Sequence, residues 1–117
     1  MSAIKSIAIV CALLGMTLPA YAKELTKKEI TSLVSGKSAM WKSTDGKYFG
    51  KMQWNENGTA NVTGNFGSFK ADSGQWRIKG NKLCGKWKKI RKGAEKCEPV
   101  IHKGNKTYLT GETLMTF

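Results

Sequence analysis

The sequence is poor in the residues that most often carry enzyme chemistry. It has one histidine, His102, and three cysteines among 117 residues. A zinc site needs three or four nitrogen, sulfur or oxygen ligands, and a nucleophilic triad needs a histidine beside its nucleophile. The eight acidic residues are scattered, and no spacing among them indicates a paired acid and base. We therefore predict no catalytic residue, no metal site, no cofactor and no enzyme activity.

The sequence also lacks an apolar run long enough to span a bilayer, because its longest, residues 7–18, is well short of the roughly 20 residues required. Lys5 precedes this run, and residues 19–22 (PAYA) follow it as a small-residue cleavage site. The pattern predicts a bacterial signal peptide, residues 1–22, cleaved between Ala22 and Lys23. An uncleaved anchor or a buried helix is the alternative. The mature chain is then periplasmic or secreted and has no transmembrane segment.

Negative charge is scarce. The chain carries 20 basic and 8 acidic residues, a net charge of +12. Loss of residues 1–22 removes only Lys5 from this count, which leaves a net charge of +11. Arginine, the residue of bidentate phosphate recognition, occurs only at Arg77 and Arg91. We therefore expect diffuse attraction to an anionic partner and no specific nucleic-acid site.

Cleavage would leave two cysteines, Cys84 and Cys97, and an even pair in a small exported domain predicts a disulfide bond. Such a bond would contribute roughly 3 kcal/mol to stability. If the two cysteines lie directly opposite, the hairpin centre falls at residues 90–91, which is a poor turn sequence. A turn nearer residues 92–93 would offset the pairing and introduce a bulge. The sequence leaves both registers open.

One helix is predicted, over residues 25–36. Thr26 and Glu29 have the spacing of a capping box, and Ile30 can pack against Leu25 before the cap. Gly36 is suited to ending the helix in a left-handed conformation.

After Gly36 the apolar period changes to two, and turn signals recur about every 8–12 residues. The predicted turns are 44–47, 55–58, 72–74, 80–81 and 102–106, and residues 66–71 are predicted to be extended. We predict a single mainly β domain, residues 23–117: an antiparallel meander of about seven or eight strands, with one short N-terminal helix and one disulfide. Glycines in the strands favour a curled sheet or a small barrel.

Basic residues concentrate between positions 77 and 96. Strand alternation could place several on one outward patch, where they would attract a polyanion. The alternative is a solvated face whose lysines maintain solubility. The anion-binding candidates are Arg77, Lys79, Lys86, Lys88, Arg91 and Lys92.

The four tryptophans and six other aromatic residues have two interpretations. The residues are Trp41, Trp54, Trp76 and Trp87, with Tyr48, Phe49, Phe66, Phe69, Tyr108 and Phe117. They could line a barrel cavity that holds an apolar or sugar ligand, or they could simply form the core. Large aromatic side chains are routine in the core of a small β domain, which favours the second interpretation.

Several motifs together resemble one family, the small exported bacterial proteins grouped as a domain of unknown function. The shared elements are the helix pattern LTxxEIxxLxxG at 25–36, Asp45-Gly46, Asn57-Gly58-Thr59, Gly74-x-Trp76, Leu83-Cys84-x-x-Trp87, Cys97 and Gly104-x-x-x-Tyr108. The resemblance implies a lipocalin-like or similar curled β-sheet, in which the matched cysteines and tryptophans are structural. It implies no activity.

We expect a non-enzymatic, monomeric, exported basic binding protein. Its lysine-rich face would contact an anionic partner, either an envelope lipid or polysaccharide or an acidic exported protein. The alternatives are a carrier of a small apolar or sugar ligand inside a small barrel, and an inhibitor or accessory protein of another exported protein.

Overall fold

In the computed structural model, residues 23–117 form an eight-stranded antiparallel barrel with one extra strand and one α-helix. The structure describes these residues; the predicted signal peptide, residues 1–22, and the bond after Ala22 lie outside them. The elements are β1 (Lys23–Glu24), α1 (Lys27–Val34), β2 (Lys37–Ser43), β3 (Phe49–Trp54), β4 (Thr59–Asn65), β5 (Ala71–Lys79), β6 (Lys82–Trp87), a 3₁₀ turn (Ile90–Gly93), β7 (Lys96–Gly104), β8 (Thr107–Thr110) and β9 (Thr113–Thr116).

The barrel is a closed meander. Each strand from β2 to β9 pairs antiparallel with the next strand in the sequence, and β9 pairs back with β2. Strand β1 pairs with β7 at His102 and Ile101. The pairing of β6 with β7 ends at Pro99, so the same edge of β7 is available to β1 beyond that residue. Within residues 23–117, closure leaves no long unpaired strand edge to recruit another chain. The predicted mainly β meander is therefore confirmed.

The predicted helix forms as α1, and its cap is the expected one. The Thr26 hydroxyl accepts from the Glu29 N–H at 3.3 Å, while the Glu29 carboxylate accepts from the Thr26 N–H at 2.9 Å. Gly36 follows the helix with a φ of 73°. Ile30 and Val34 are fully buried, so the apolar stripe of α1 enters the core.

Helix α1 covers one end of the barrel. It packs against β2, β5 and β6. The Lys27 N–H donates to the Asn81 side chain in the β5–β6 turn at 2.8 Å, and Gly36 lies against Glu56 in the β3–β4 turn. The connections 44–48, 66–70, 88–95 and 111–112 lie at the other end, which we call the open end.

The sequence prediction was wrong between residues 66 and 74. Residues 66–70 form a loop rather than a strand, and the predicted turn at 72–74 lies inside β5. Gly67 has a φ of 93°, a value that breaks a strand. Gly74 is needed because any Cβ there would collide with the backbone of Lys86 and Trp87 in the neighbouring strand. This glycine therefore serves close strand approach and not a turn.

A second turn was placed too early. Residues 102–106 were predicted to turn, but β7 continues to Gly104 and the chain reverses at Asn105, whose φ is 50°. His102 lies in β7 opposite Tyr108, and their rings stack with centroids 4.6 Å apart. This cross-strand stacking extends the strand beyond the point that local turn signals indicate.

Cys84 and Cys97 lie directly opposite each other in β6 and β7 and form a disulfide. The first of the two registers is therefore the one adopted. The connecting loop, residues 88–95, accommodates its poor turn sequence by holding Arg91 and Lys92 at φ values of 54° and 55°.

Candidate functional site

The barrel interior holds a cavity of about 460 Å³ that extends to the open end. All four tryptophans of the chain contribute to its wall. Met52, Leu83 and Met115 fill much of the remaining surface. Ligand sites in proteins commonly occupy 300–1,000 Å³ and have mainly apolar walls with a few polar groups. The cavity has that size and that kind of wall.

Glycines lie opposite three of the four tryptophans. Trp41 pairs with Gly50, Trp76 pairs with Gly85, and Trp87 pairs with Gly74. Paired residues on neighbouring strands point to the same face, so each large ring lies beside a position without a side chain. A Cβ at Gly50 or Gly74 would collide with the backbone of a neighbouring strand, so these two glycines also let the strands of the narrow barrel approach closely.

Two of the indole N–H groups donate to backbone carbonyls. The Trp76 Nε1 donates to the Asn55 carbonyl at 2.8 Å, and the Trp41 Nε1 approaches the Thr63 carbonyl at 3.4 Å. The Trp41 ring also stacks on Phe66, with centroids 5.5 Å apart. These contacts fix the rings and leave apolar ring surface on the cavity.

Charged side chains surround the mouth of the cavity at the open end. Arg91, Lys96, Glu98 and Glu112 all line it, and the Lys96 ammonium lies 3.4 Å from the Glu98 carboxylate. Burial lowers the pKa of the Arg91 guanidinium, and the negative charge of Glu98 opposes this shift. Arginine remains charged despite such shifts. The cavity is therefore apolar inside and ionic at its rim.

The position of the mouth loop, residues 88–95, depends on the buried carboxylate of Asp72 in β5. Its Oδ2 accepts from the backbone N–H groups of Lys89 and Ile90, each at 2.9 Å. Its Oδ1 accepts from the Ser73 N–H at 2.9 Å. Burial raises the pKa of Asp72, but these hydrogen bonds outweigh burial and hold the pKa below its ordinary value. The charged carboxylate thus ties the loop to the barrel wall.

Three of the anion-binding candidates come together on the outer face of β5 and β6. Arg77, Lys79 and Lys86 are exposed there around Glu95. Arg77 donates to both Glu95 carboxylate oxygens at 2.7 Å. The hydrogen bond from Arg77 and the charges of all three cations lower the pKa of Glu95. One carboxylate therefore already engages part of this basic cluster.

Of the other three candidates, only Lys88 adjoins that group. Lys88 borders a shallow groove over β4–β6 together with Lys86. Lys92 is exposed at the tip of the loop, and Arg91 lies at the cavity mouth. Sequence reasoning assigned Arg91 to an outer patch and missed Lys96, Glu98 and Glu112 as mouth residues. Lys96, Glu98 and the buried Val100 are spaced two residues apart in β7, so their side chains point to the same face. This spacing was the signal from which their inward orientation could have been predicted.

Within residues 23–117, a group of potential metal ligands comprises Cys84, Glu95 and Cys97, whose ligand atoms lie within 4.8 Å of one another. The two sulfurs are joined in the disulfide, whereas metal coordination by cysteine requires a thiolate. This group therefore does not fit a metal ion.

Comparisons with family models, with curated proteins and with solved structures gave no match. The family resemblance thus stays a prediction based on its motifs. In the part of the chain from Lys23 onward, no helix has the length and apolar character required to cross a bilayer.

Proposed function

We propose that the protein is an exported carrier that binds a small apolar molecule inside its barrel. The observation that carries this proposal is the placement of all four tryptophans on one cavity of about 460 Å³ that reaches the open end. A planar or aliphatic ligand would bury apolar surface against the indole faces. The ionic rim would contact any polar end of the ligand and keep the mouth hydrated.

The test is a titration with N-phenyl-1-naphthylamine, a neutral apolar fluorescent probe, followed by its emission and by tryptophan quenching. We expect saturable binding at one site. Thr113 lines the cavity, while Thr116 on the same strand is exposed on the outer face. Thr113→Phe should reduce the affinity about tenfold or more by occupying ligand space, and the matched control Thr116→Phe should leave it unchanged. Circular dichroism verifies the fold of both variants. Unsaturable binding, or equal affinity in both variants, would refute a carrier role.

We propose a second candidate function, contact with an anionic polysaccharide or acidic protein through the outer face of β5 and β6. The gathering of Arg77, Lys79 and Lys86 around a single carboxylate supports it. Lys79→Glu/Lys86→Glu would be compared with Lys103→Glu/Lys106→Glu, which changes the same charge at other exposed positions. Heparin affinity at about 50 and 200 mM salt is the measurement. A selective loss in the first variant supports this function, and equal losses exclude it.

A further inference from the structure

Four large apolar side chains lie on the outer surface of the barrel on β3, β2, β9 and β8, and two of them are exposed. Met40 is 59% exposed and Phe49 is 54% exposed. Leu109 and Leu114 are half-buried on the same surface, since their chain neighbours point into the barrel. Solvent exposure of this extent for several large apolar side chains on one face indicates an interaction surface.

The strand register intersperses lysines among these apolar residues. Lys42 pairs with Phe49 on one side and with Leu114 on the other, and Leu114 pairs with Leu109. In the adjacent row Met40 pairs with Lys51 and with Thr116. We call this surface the apolar–lysine face; its members are Met40, Lys42, Phe49, Lys51, Leu109 and Leu114.

The face carries charge of one sign. The two rows run across β4, β3, β2, β9 and β8. Their remaining members are Asn65 and Thr63 in β4, Thr116 in β9 and Thr107 in β8, so neither row contains a carboxylate. A positive surface without internal ion pairs is complementary to a negative one. The excess positive charge of the whole chain acts in the same direction.

We infer that the apolar–lysine face docks on an anionic lipid bilayer. Lysine is depleted in the buried centre of protein–protein interfaces, where its ammonium would lose water. At a bilayer surface the lysine stem lies along apolar surface while the ammonium reaches the phosphate layer. Phe49 and Met40 would enter the boundary of headgroups and acyl chains, as apolar side chains of membrane-surface proteins do. A bilayer therefore fits this composition better than a protein partner does.

The geometry also relates this surface to the cavity. Phe49 follows Tyr48, which is 43% exposed and lines the cavity. Docking through Phe49 would thus place the edge of the open end beside the bilayer. The inference goes beyond the carrier proposal and does not depend on it, because vesicle binding and probe binding are separate measurements.

The experiment measures co-sedimentation of the protein with phosphatidylcholine vesicles, with and without phosphatidylglycerol. We expect binding to the phosphatidylglycerol vesicles, weaker at about 200 mM than at about 50 mM salt because of screening. Met40→Ser/Phe49→Ser removes the apolar contacts and should weaken binding about tenfold or more.

A matched pair of lysine variants separates docking from diffuse attraction. Lys42→Gln/Lys51→Gln and Lys27→Gln/Lys28→Gln remove equal charge, from the apolar–lysine face and from exposed positions of α1 respectively. We expect a loss of about tenfold in the first and less than about threefold in the second. Equal losses in both, or full binding by Met40→Ser/Phe49→Ser, would overturn the inference.

Three further readouts complete the test. All four substituted residues of the face are exposed, so circular dichroism and binding of N-phenyl-1-naphthylamine should match the unmodified protein. Light scattering measures the mass in solution. A dimer that disappears in Met40→Ser/Phe49→Ser, with no binding to vesicles, would show that a second copy of the chain covers the face and would overturn the inference.

Discussion

A single carboxylate, that of Asp72, joins the barrel wall to the loop that shapes the cavity mouth. The residue is 8% exposed and accepts three backbone hydrogen bonds, two of them from the loop at Lys89 and Ile90. Hydrogen bonds to a charged acceptor are stronger than those between neutral groups. Removing the charge here should disturb the mouth even though Asp72 does not line the cavity.

We predict that Asp72→Asn lowers the free energy of unfolding by about 1–3 kcal/mol, because an amide N–H₂ cannot accept and leaves buried N–H groups unpaired. Urea denaturation at neutral pH measures the change. The control is Asp45→Asn in the exposed 44–47 turn. A loss no larger than that of the control would contradict the assigned role of Asp72.

We also predict that the effect of Asp72→Asn on the free energy of unfolding depends on pH. The pKa of Asp72 is lower in the folded protein than its ordinary value of 3.8. Its stabilising contribution is therefore complete above that ordinary value and is lost as the pH falls through the folded pKa. The stability difference between the unmodified protein and Asp72→Asn should shrink below about pH 4.

At the scale of elements, the 88–95 loop has an unusual backbone. Arg91, Lys92 and Gly93 all have positive φ, which costs a residue with a side chain about 1–2 kcal/mol. The disulfide at one side of this loop and Asp72 at the other hold it in this conformation. The conformation brings Arg91 to the mouth, where it contributes to the ionic rim.

We predict that Lys92→Gly raises the free energy of unfolding by about 0.5–1 kcal/mol, since relief of the left-handed strain exceeds the entropy cost of glycine. Lys88→Gly, at a position without a positive φ, should lower it by a similar amount. Urea denaturation of the two variants distinguishes them. Destabilisation by Lys92→Gly equal to that of Lys88→Gly would show that the loop is unstrained.

Elements with local signals were predictable from the sequence. The helix follows from Thr26 and Glu29, and the β3–β4 hairpin from Asn57 and Gly58, because each signal acts within a few residues. The turn predicted at Gly74 was wrong because the role of this glycine depends on the backbone of Lys86 in another strand. Contacts of that kind appear only once the register is known.

At the scale of the whole molecule, the number of strands was predictable, but the choice between core and cavity was not. Tryptophans at inward-facing strand positions give the same sequence pattern whether side chains fill the barrel interior or leave a cavity in it. The outcome depends on which side chains face one another across the barrel, and the register that decides this joins strands such as β5 and β6 residue by residue. Closure of the barrel likewise depends on the pairing of β2 with β9. These strands are far apart in the sequence, so no local pattern could predict that they pair.

A carrier should be stabilised as a whole by its ligand. We predict that N-phenyl-1-naphthylamine at about 100 times its dissociation constant adds about 2.7 kcal/mol to the free energy of unfolding. The melting temperature should therefore rise with probe concentration, and the rise should be smaller for Thr113→Phe. A melting temperature independent of the probe would show that the cavity is not its site.

The helix across one end of the barrel has a consequence for exchange. With Ile30 and Val34 of α1 buried at that end, a ligand of the proposed carrier would enter and leave through the mouth at the open end. The barrel therefore cannot act as a conduit that passes molecules from one end to the other. The proposed carrier would therefore have to release one molecule before accepting the next, and it would transfer its ligand in single trips.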